Sequence, residues 1–443
     1  MRAMYTCGSL HMCGIHHSIR VTISKLCTFV RHFGVLACII QFCILLPLLC
    51  RTRPFSAYYR ITSGRINFQQ RAKMLNEDRV KHANLYFKTR NASESYRHYH
   101  SIGNGTHIYL AVTIVTVRRS SVKKGNESMG YILQTAAGLD SFARSRDFLN
   151  RTFVFICNVD SQPHKHEDAH FLESYLPFTQ RYGSSSFKVK DIQLPHSTLS
   201  YDEVTHKNTR EKETFDYSYC LKVAESFHPE YILMVEDDAV PHTDLPSVLK
   251  YSLDNHLVDN SKGTAVKKKF AYLKLYYPEK WQGFAFELPR ILELISLGCV
   301  GGGVGVLCGL MIQSSKTKWT YWAMCQYFLI GVIIFALTAE LVGRQNMLEL
   351  RRLSKYLYQF RQAPGCCTPA MLYPRAIVEP LTAFLTSLPS SRHTDLAIYD
   401  FVIQTQTPAY QLEPNLFHHI GMHSSLGTGD KDPEHFVSAF IIK

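Results

Sequence analysis

The chain has 443 residues, enough for two or three domains, and with 46% hydrophobic residues, 25 Tyr and 26 Phe it can bury a sizeable core. Its formal net charge of +13 suits an anionic partner such as a nucleotide, a phosphate or a lipid headgroup. Composition argues against nucleic acid as that partner, because the basic residues are scattered and no zinc-finger or RNA-recognition motif accompanies them.

Residues 33–50 form an uncharged apolar run flanked by Arg31 on one side and Arg51 and Arg53 on the other. The run is long for the apolar part of a signal peptide and lacks a small-x-small cleavage site. It is therefore expected to be an uncleaved membrane anchor, although two basic flanks do not orient it. Four N-glycosylation triplets follow, at Asn91, Asn104, Asn126 and Asn150. Together they fit a lumenal segment and place the N-terminus in the cytosol.

Residues 55–100 are polar, and the mixed charges of 69–88, without Gly or Pro, predict a helix, read as part of a stem. Residues 109–117 are nearly continuous β-branched sequence, the pattern of a strand buried on both faces. A helix is expected over 131–144 and a second buried strand over 153–159, ending at Asp160. The next stretch carries His164, His166 and His170; its Pro, Lys and Glu content predicts a solvated loop rather than a metal site. A helix over 215–227 and strands over 231–235 and 270–276 complete a β-α-β alternation, which predicts an α/β domain with a largely parallel sheet.

The strand at 231–235 runs straight into Glu236, Asp237 and Asp238, and Pro241 then stops it. In an open α/β sheet ligands bind beyond the carboxyl ends of strands. Adjacent carboxylates there need a cation, and Mn²⁺ or Mg²⁺ held by oxygen ligands could also bridge a substrate diphosphate. The triplet suits sugar-nucleotide transferases, phosphoesterases and nucleotidyltransferases alike, and a solvated acidic turn is the bland alternative. No P-loop and no G-x-S-x-G elbow is present.

Two apolar stretches, 291–312 and 319–339, lie back to back with a short polar link. Each matches the roughly 20 residues that cross a bilayer, so the pair is expected to be a membrane hairpin that returns the chain to the side it left. Residues 347–360 are rich in helix formers, with Arg351, Arg352 and Lys355, and predict an amphipathic helix on the membrane surface. Of the 13 Cys, Cys157, Cys220, Cys366 and Cys367 fall in the expected lumenal part. Cys157–Cys220 is a plausible disulfide there, whereas a bond between the adjacent Cys366 and Cys367 would be strained.

Several segments in order are similar to the Golgi transferases that add N-acetylgalactosamine to glycosylphosphatidylinositol (GPI), the family of post-GPI-attachment-to-proteins factor four. They are Thr113-Ile-Val-Thr-Val-Arg118, Phe155-Ile-Cys-Asn-Val-Asp160, Met234 to Pro241 and Tyr272-Leu-Lys-Leu-Tyr-Tyr-Pro-Glu-Lys280. After the hairpin come Glu340-Leu-Val-Gly-Arg344, Leu348 to Ser354, Cys366-Cys-Thr-Pro-Ala-Met-Leu372, Glu413-Pro-Asn-Leu416, His419-Ile-Gly421 and Ser424-Ser-Leu426. The resemblance implies a GT-A-like glycosyltransferase domain interrupted by a transmembrane helical hairpin, plus one N-terminal transmembrane helix. On this reading residues 1–32 are cytosolic, 33–50 the anchor, 51–107 the stem, 108–290 and 340–443 the two parts of the catalytic domain, and 291–339 the hairpin.

The resemblance also implies roles. Thr116, Val117 and Arg118 would line a uridine pocket, with Asp160 on uracil or ribose or, alternatively, as a helix cap. Asp238 would hold the metal, supported by Glu236 and Asp237, with His419 a second metal or phosphate contact. Thr368, Pro369 and Ala370 would shape the donor-sugar pocket. The implied reaction inverts the anomeric centre of UDP-GalNAc, and so needs a base. Asp395 is the candidate, with Glu287 and Asp400 behind it and a helix N-cap as the structural alternative. Trp281 could stack on a sugar or simply pack. The expected acceptor is the mannose core of a GPI-anchored protein in the Golgi. The alternatives are an N-glycan acceptor or a non-catalytic receptor for GPI-anchored cargo.

Overall fold

The computed structural model describes residues 34–62, 68–103, 107–119, 128–182, 208–259, 266–285, 287–312, 320–388, 392–423, 437–438 and 440. The chain divides into two compact units, Met1–Ile66 with Gly283–Met347, and Asn67–Gln282 with Leu348–Lys443.

The larger unit is built on a mixed sheet whose strands come from both sides of the apolar helices. The strands before those helices are β1 (Leu110–Thr116), β2 (Thr152–Asn158), β3 (Phe178–Gln180), β4 (Tyr231–Glu236), β5 (Ala239–Pro241), β6 (Val258–Asp259), β7 (Val266–Lys267) and β8 (Leu273–Lys274). Those after them are β9 (Gln359–Gln362), β10 (Ala370–Pro374), β11 (Tyr410–Glu413) and β12 (Phe417–His419). Eight of them form one sheet in the order β3-β2-β1-β4-β10-β8-β11-β9, while β12 pairs with β5 and β6 with β7. Strands β3, β2, β1 and β4 run parallel, and β10 then enters antiparallel between β4 and β8. The sheet is thus parallel-rich on the side carrying the acid triplet.

The local sequence explains this core. Strand β1 reads LAVTIVT and β2 TFVFICN, nearly all buried, as strands covered on both faces require. The helix Thr209–Ser226 starts at Asn208, whose side-chain oxygen accepts the N–H groups of Arg210 and Glu211, a good N-cap. A Cys157–Cys220 disulfide ties β2 to this helix. Replacing Cys220 with Ala should lower stability by about 2–5 kcal/mol. Thermal unfolding under non-reducing conditions measures this; an unchanged midpoint would mean the bond adds nothing.

Two expectations are corrected. The strand predicted over 270–276 narrows to Leu273–Lys274. Its flanks stay buried and still bond beside the sheet: Ala271 N–H donates to Pro408 O at 2.7 Å and Leu275 N–H to Ala370 O of β10 at 3.0 Å. The helix predicted over 347–360 is absent. A short helix Arg344–Leu348 gives way to 3₁₀ turns Glu349–Leu353 and Lys355–Leu357, then to β9. Ser354 is extended at φ −155°. Arg352 donates to Asn415 O at 2.9 Å and to the Tyr358 hydroxyl at 3.1 Å, and that hydroxyl donates to Asp244 at 2.6 Å. Tertiary bonds to other parts of the unit override helix propensity.

In the smaller unit, Leu288–Ile312 and Tyr321–Val342 are helices. Both are long and apolar enough to cross a membrane, and only 22% and 11% of their most apolar windows are buried. Such exposure does not fit core helices of a soluble domain. The N-terminal apolar helix Gly34–Cys50 is shorter and carries a π turn at Gln41–Leu45. Gln41 donates to the Thr338 hydroxyl at 2.9 Å. The two long helices meet at glycines: a Cβ on Gly331 would collide with the Gly301 carbonyl, the close approach that small residues permit between membrane helices. The link at 313–319 lies outside the described residues, as do Asn104 and Asn126. Asn91 and Asn150 are both exposed.

Candidate functional site

Strands β1, β2 and β4 end at the same sheet edge, since Val115 pairs with Glu236 and Thr116 with Asn158. Residues 116–119, Asp160 and the acid triplet therefore gather at the carboxyl ends of the parallel strands, where α/β sheets bind ligands. Glu236 is half-buried, while Asp237 and Asp238 are 3% and 0% exposed.

Strand β12 closes the site from the other side of the sequence. His419 pairs with Ala239, and Ile420 N–H donates to Asp238 O at 2.8 Å. The His419 ring stacks on Tyr276, and its Nε2 lies 3.2 Å from Asp238 Oδ2. Gly421 runs so close that a Cβ there would lie on the Asp238 carboxylate. Glu236, Asp238 and His419 each offer a ligand atom, all within 4.8 Å of one another. Two carboxylate oxygens and an imidazole nitrogen are a fitting donor set for a divalent cation.

The segment after Cys366 forms another wall. Thr368 donates to Glu236 at 2.8 Å, and Glu236 N–H donates to Pro369 O at 2.9 Å. Ala370 is buried on β10 opposite Val235. One residue earlier, Cys367 N–H donates to Asp395 Oδ2 at 2.9 Å. Adjacent residues thus hold two separate carboxylates, Asp395 and Glu236. Lys274, buried on β8, donates to Pro364 O at 3.0 Å and also to Cys366 O. Burial lowers its pKa. The Cys366 and Cys367 sulfurs are free thiols 3.0 Å apart.

Neither of the helix-cap alternatives for Asp160 and Asp395 is what the structure shows. Asp160 caps no helix: its carboxylate accepts Arg118 N–H at 2.8 Å and Gln162 N–H at 2.7 Å. Asp395 is not an N-cap either. His393 holds that position, and Asp395 sits in the first turn of Thr394–Thr405. Of the other base candidates, Asp400 is held by Arg392 at 2.7 Å and Glu287 by Arg290 at 3.1 Å. Trp281 is 42% exposed beside Tyr277, so it is not core packing.

His166 is the clearest correction, because it is 5% exposed rather than solvated. Its Nε2 lies 2.8 Å from the Thr116 hydroxyl, which donates to Asp237 Oδ2 at 2.7 Å. That hydroxyl has one proton and spends it on Asp237, so Nε2 must carry the proton shared with Thr116. Burial pushes the His166 pKa down to about 4, and the folded protein keeps the ring neutral. The unfolded chain protonates it near 6.5. Its contribution is therefore complete above pH 6.5 and lost as pH falls to about 4, about 3 kcal/mol in all. Unfolding measured across that window should depend less steeply on pH in His166→Gln than in the wild type; equal slopes would contradict this.

Arg119 went unassigned in the sequence. Its Nη2 is 2.8 Å from Asp237 Oδ1 and its Nη1 bonds Asp238 Oδ2. Burial opposes its charge, but Asp237 and Asp238 outweigh that and hold its pKa above the usual arginine value. Asp237 is pushed up to about 6 by burial, against the pull of Arg119. The usable signal was an arginine doublet leaving a buried strand at the edge where the acids emerge. A family model described as GPI-N-acetylgalactosamine transferase PGAP4 matches residues 110–418, from the start of β1 into β12.

Proposed function

The chain belongs to the GPI-N-acetylgalactosamine transferase PGAP4 family, and so is a glycosyltransferase; from this premise we propose that it transfers N-acetylgalactosamine from UDP-GalNAc, with inversion, to the mannose core of GPI-anchored proteins. The family implies a nucleotide-sugar donor and a GPI-glycan acceptor. The observation that carries the reading is the convergence of the Glu236, Asp238 and His419 ligand atoms at the carboxyl edge of the parallel strands.

In this proposal Thr116, Val117, Arg118 and Asp160 line the uridine pocket, and Thr368, Pro369 and Ala370 shape the donor-sugar pocket. Glu236, Asp238 and His419 would hold Mn²⁺ or Mg²⁺, which when bound supplies positive charge to the leaving diphosphate. Asp395 accepts the proton of the acceptor hydroxyl as that oxygen attacks the anomeric carbon. Its two oxygens accept backbone N–H groups of Cys367 and Leu396, which fix its direction and leave lone pairs for that proton. The catalytic unit faces the Golgi lumen, and the two apolar helices hold it in the membrane that carries its acceptors.

The full chain in detergent should transfer from UDP-GalNAc to a GPI-anchored reporter. The product should be β-linked, and the same reporter without its anchor should stay unmodified. Equal transfer to the anchorless glycoprotein would replace this acceptor with an N-glycan.

A further inference from the structure

The contested atom of the metal centre is Asp238 Oδ2. It is the atom His419 Nε2 approaches at 3.2 Å and the atom the Arg119 guanidinium already holds. The guanidinium is built in rather than draped over the acids. Its side chain is 7% exposed, its other nitrogen reaches Asp237 Oδ1 at 2.8 Å, and Nη1 also donates to His423 O at 3.3 Å. Gly421 leaves the room for this: a Cβ there would meet the Asp238 carboxylate and stand 3.1 Å from Arg119 Nη1.

A buried carboxylate needs a counter-charge, and here one guanidinium faces three acids, Glu236, Asp237 and Asp238. A divalent ion ligated by Asp238 and His419 would bring two positive charges against the guanidinium on the same oxygen, and like charges in a water-poor site repel strongly.

We propose that Arg119 is the resident cation of this centre, and that a divalent ion must displace it from Asp238 in order to bind. The inference rests on the metal-holding role proposed above for Glu236, Asp238 and His419. Arg119 is on this account a positioning residue. It keeps the acids charged and together in the metal-free protein, and by competing it weakens the affinity for a metal ion offered alone. A donor diphosphate arriving with the ion gives the displaced guanidinium a new anionic partner, since its planar fork matches phosphate oxygens. Ion and nucleotide should therefore each bind more tightly in the presence of the other.

The test is Mn²⁺ binding to the full chain in detergent without donor, followed through the spin-resonance signal of free Mn²⁺ and through thermal unfolding. Arg119→Gln should bind Mn²⁺ at least tenfold more tightly than wild type. Without metal it should unfold at lower temperature, and saturating Mn²⁺ should raise that temperature by more than it does in wild type. Arg119→Lys, which keeps a charge but not the fork, should fall between. Asp238→Asn sets the level of binding outside the centre. Equal or weaker Mn²⁺ binding by Arg119→Gln, with wild-type binding above the Asp238→Asn level, would overturn the displacement and leave the metal site standing. No binding above that level in any variant would overturn both.

Discussion

Asp238→Asn should lower transfer to a GPI-anchored acceptor by about 10²–10³-fold, the usual cost of removing a buried electrostatic element from a transition state. The substitution keeps the shape of the side chain but removes the charge a divalent ion needs. It should spare the fold for a specific reason. Strand β12 is held beside the acids by Ile420 N–H donating to the main-chain oxygen of Asp238, a bond the variant retains. Arg119 also retains Asp237. Stability should fall by about 1–3 kcal/mol, the cost of weakening one charged hydrogen bond. Kinetics with the purified variant, beside its unfolding curve, separate the two effects. A well-folded Asp238→Asn with wild-type turnover would remove the triad from the chemistry.

The second large effect belongs to Asp395→Asn. Loss of a general base costs about 10²–10⁴-fold. The loss should fall on kcat rather than KM, because the group acts on the acceptor proton only as the bond forms. An amide oxygen can still accept Cys367 N–H, so the 366–370 segment and its Thr368–Glu236 bond should stay in place. A selective loss of donor affinity would instead make Asp395 a support for that wall. Asp400 and Glu287, both ion-paired outward, should tolerate the same change.

These two residues also show what the sequence carries. The parallel strands were legible because β1, β2 and β4 are each nearly continuous apolar runs, and a run ending in three acids marks its own functional edge. The Cys157–Cys220 pair could be anticipated because few cysteines remain outside the N-terminal segment and the apolar helices. What stayed hidden is non-local. Nothing within Ala370–Pro374 says that it inserts antiparallel between β4 and β8, since its partners lie far back in the chain, before the apolar helices. The surroundings of His166 in sequence are polar, and its partner Thr116 lies 50 residues earlier, so its burial is not legible locally. Arg118 gives only its backbone N–H to Asp160, while the Arg119 guanidinium reaches the acids. The helix expected over 347–360 failed because helical composition is a weak prior when Arg352 and Tyr358 have distant partners.

The proposed transferase site is assembled from residues on both sides of the apolar helices, Asp238 before them and Asp395 and His419 after. The most direct measurement is GalNAc transfer from UDP-GalNAc to a GPI-anchored reporter by wild type, Asp238→Asn and Asp395→Asn, purified in parallel and matched for folding. Wild type should transfer robustly, and each variant should lose at least about 99% of that transfer. Transfer at the wild-type rate by either folded variant would contradict this.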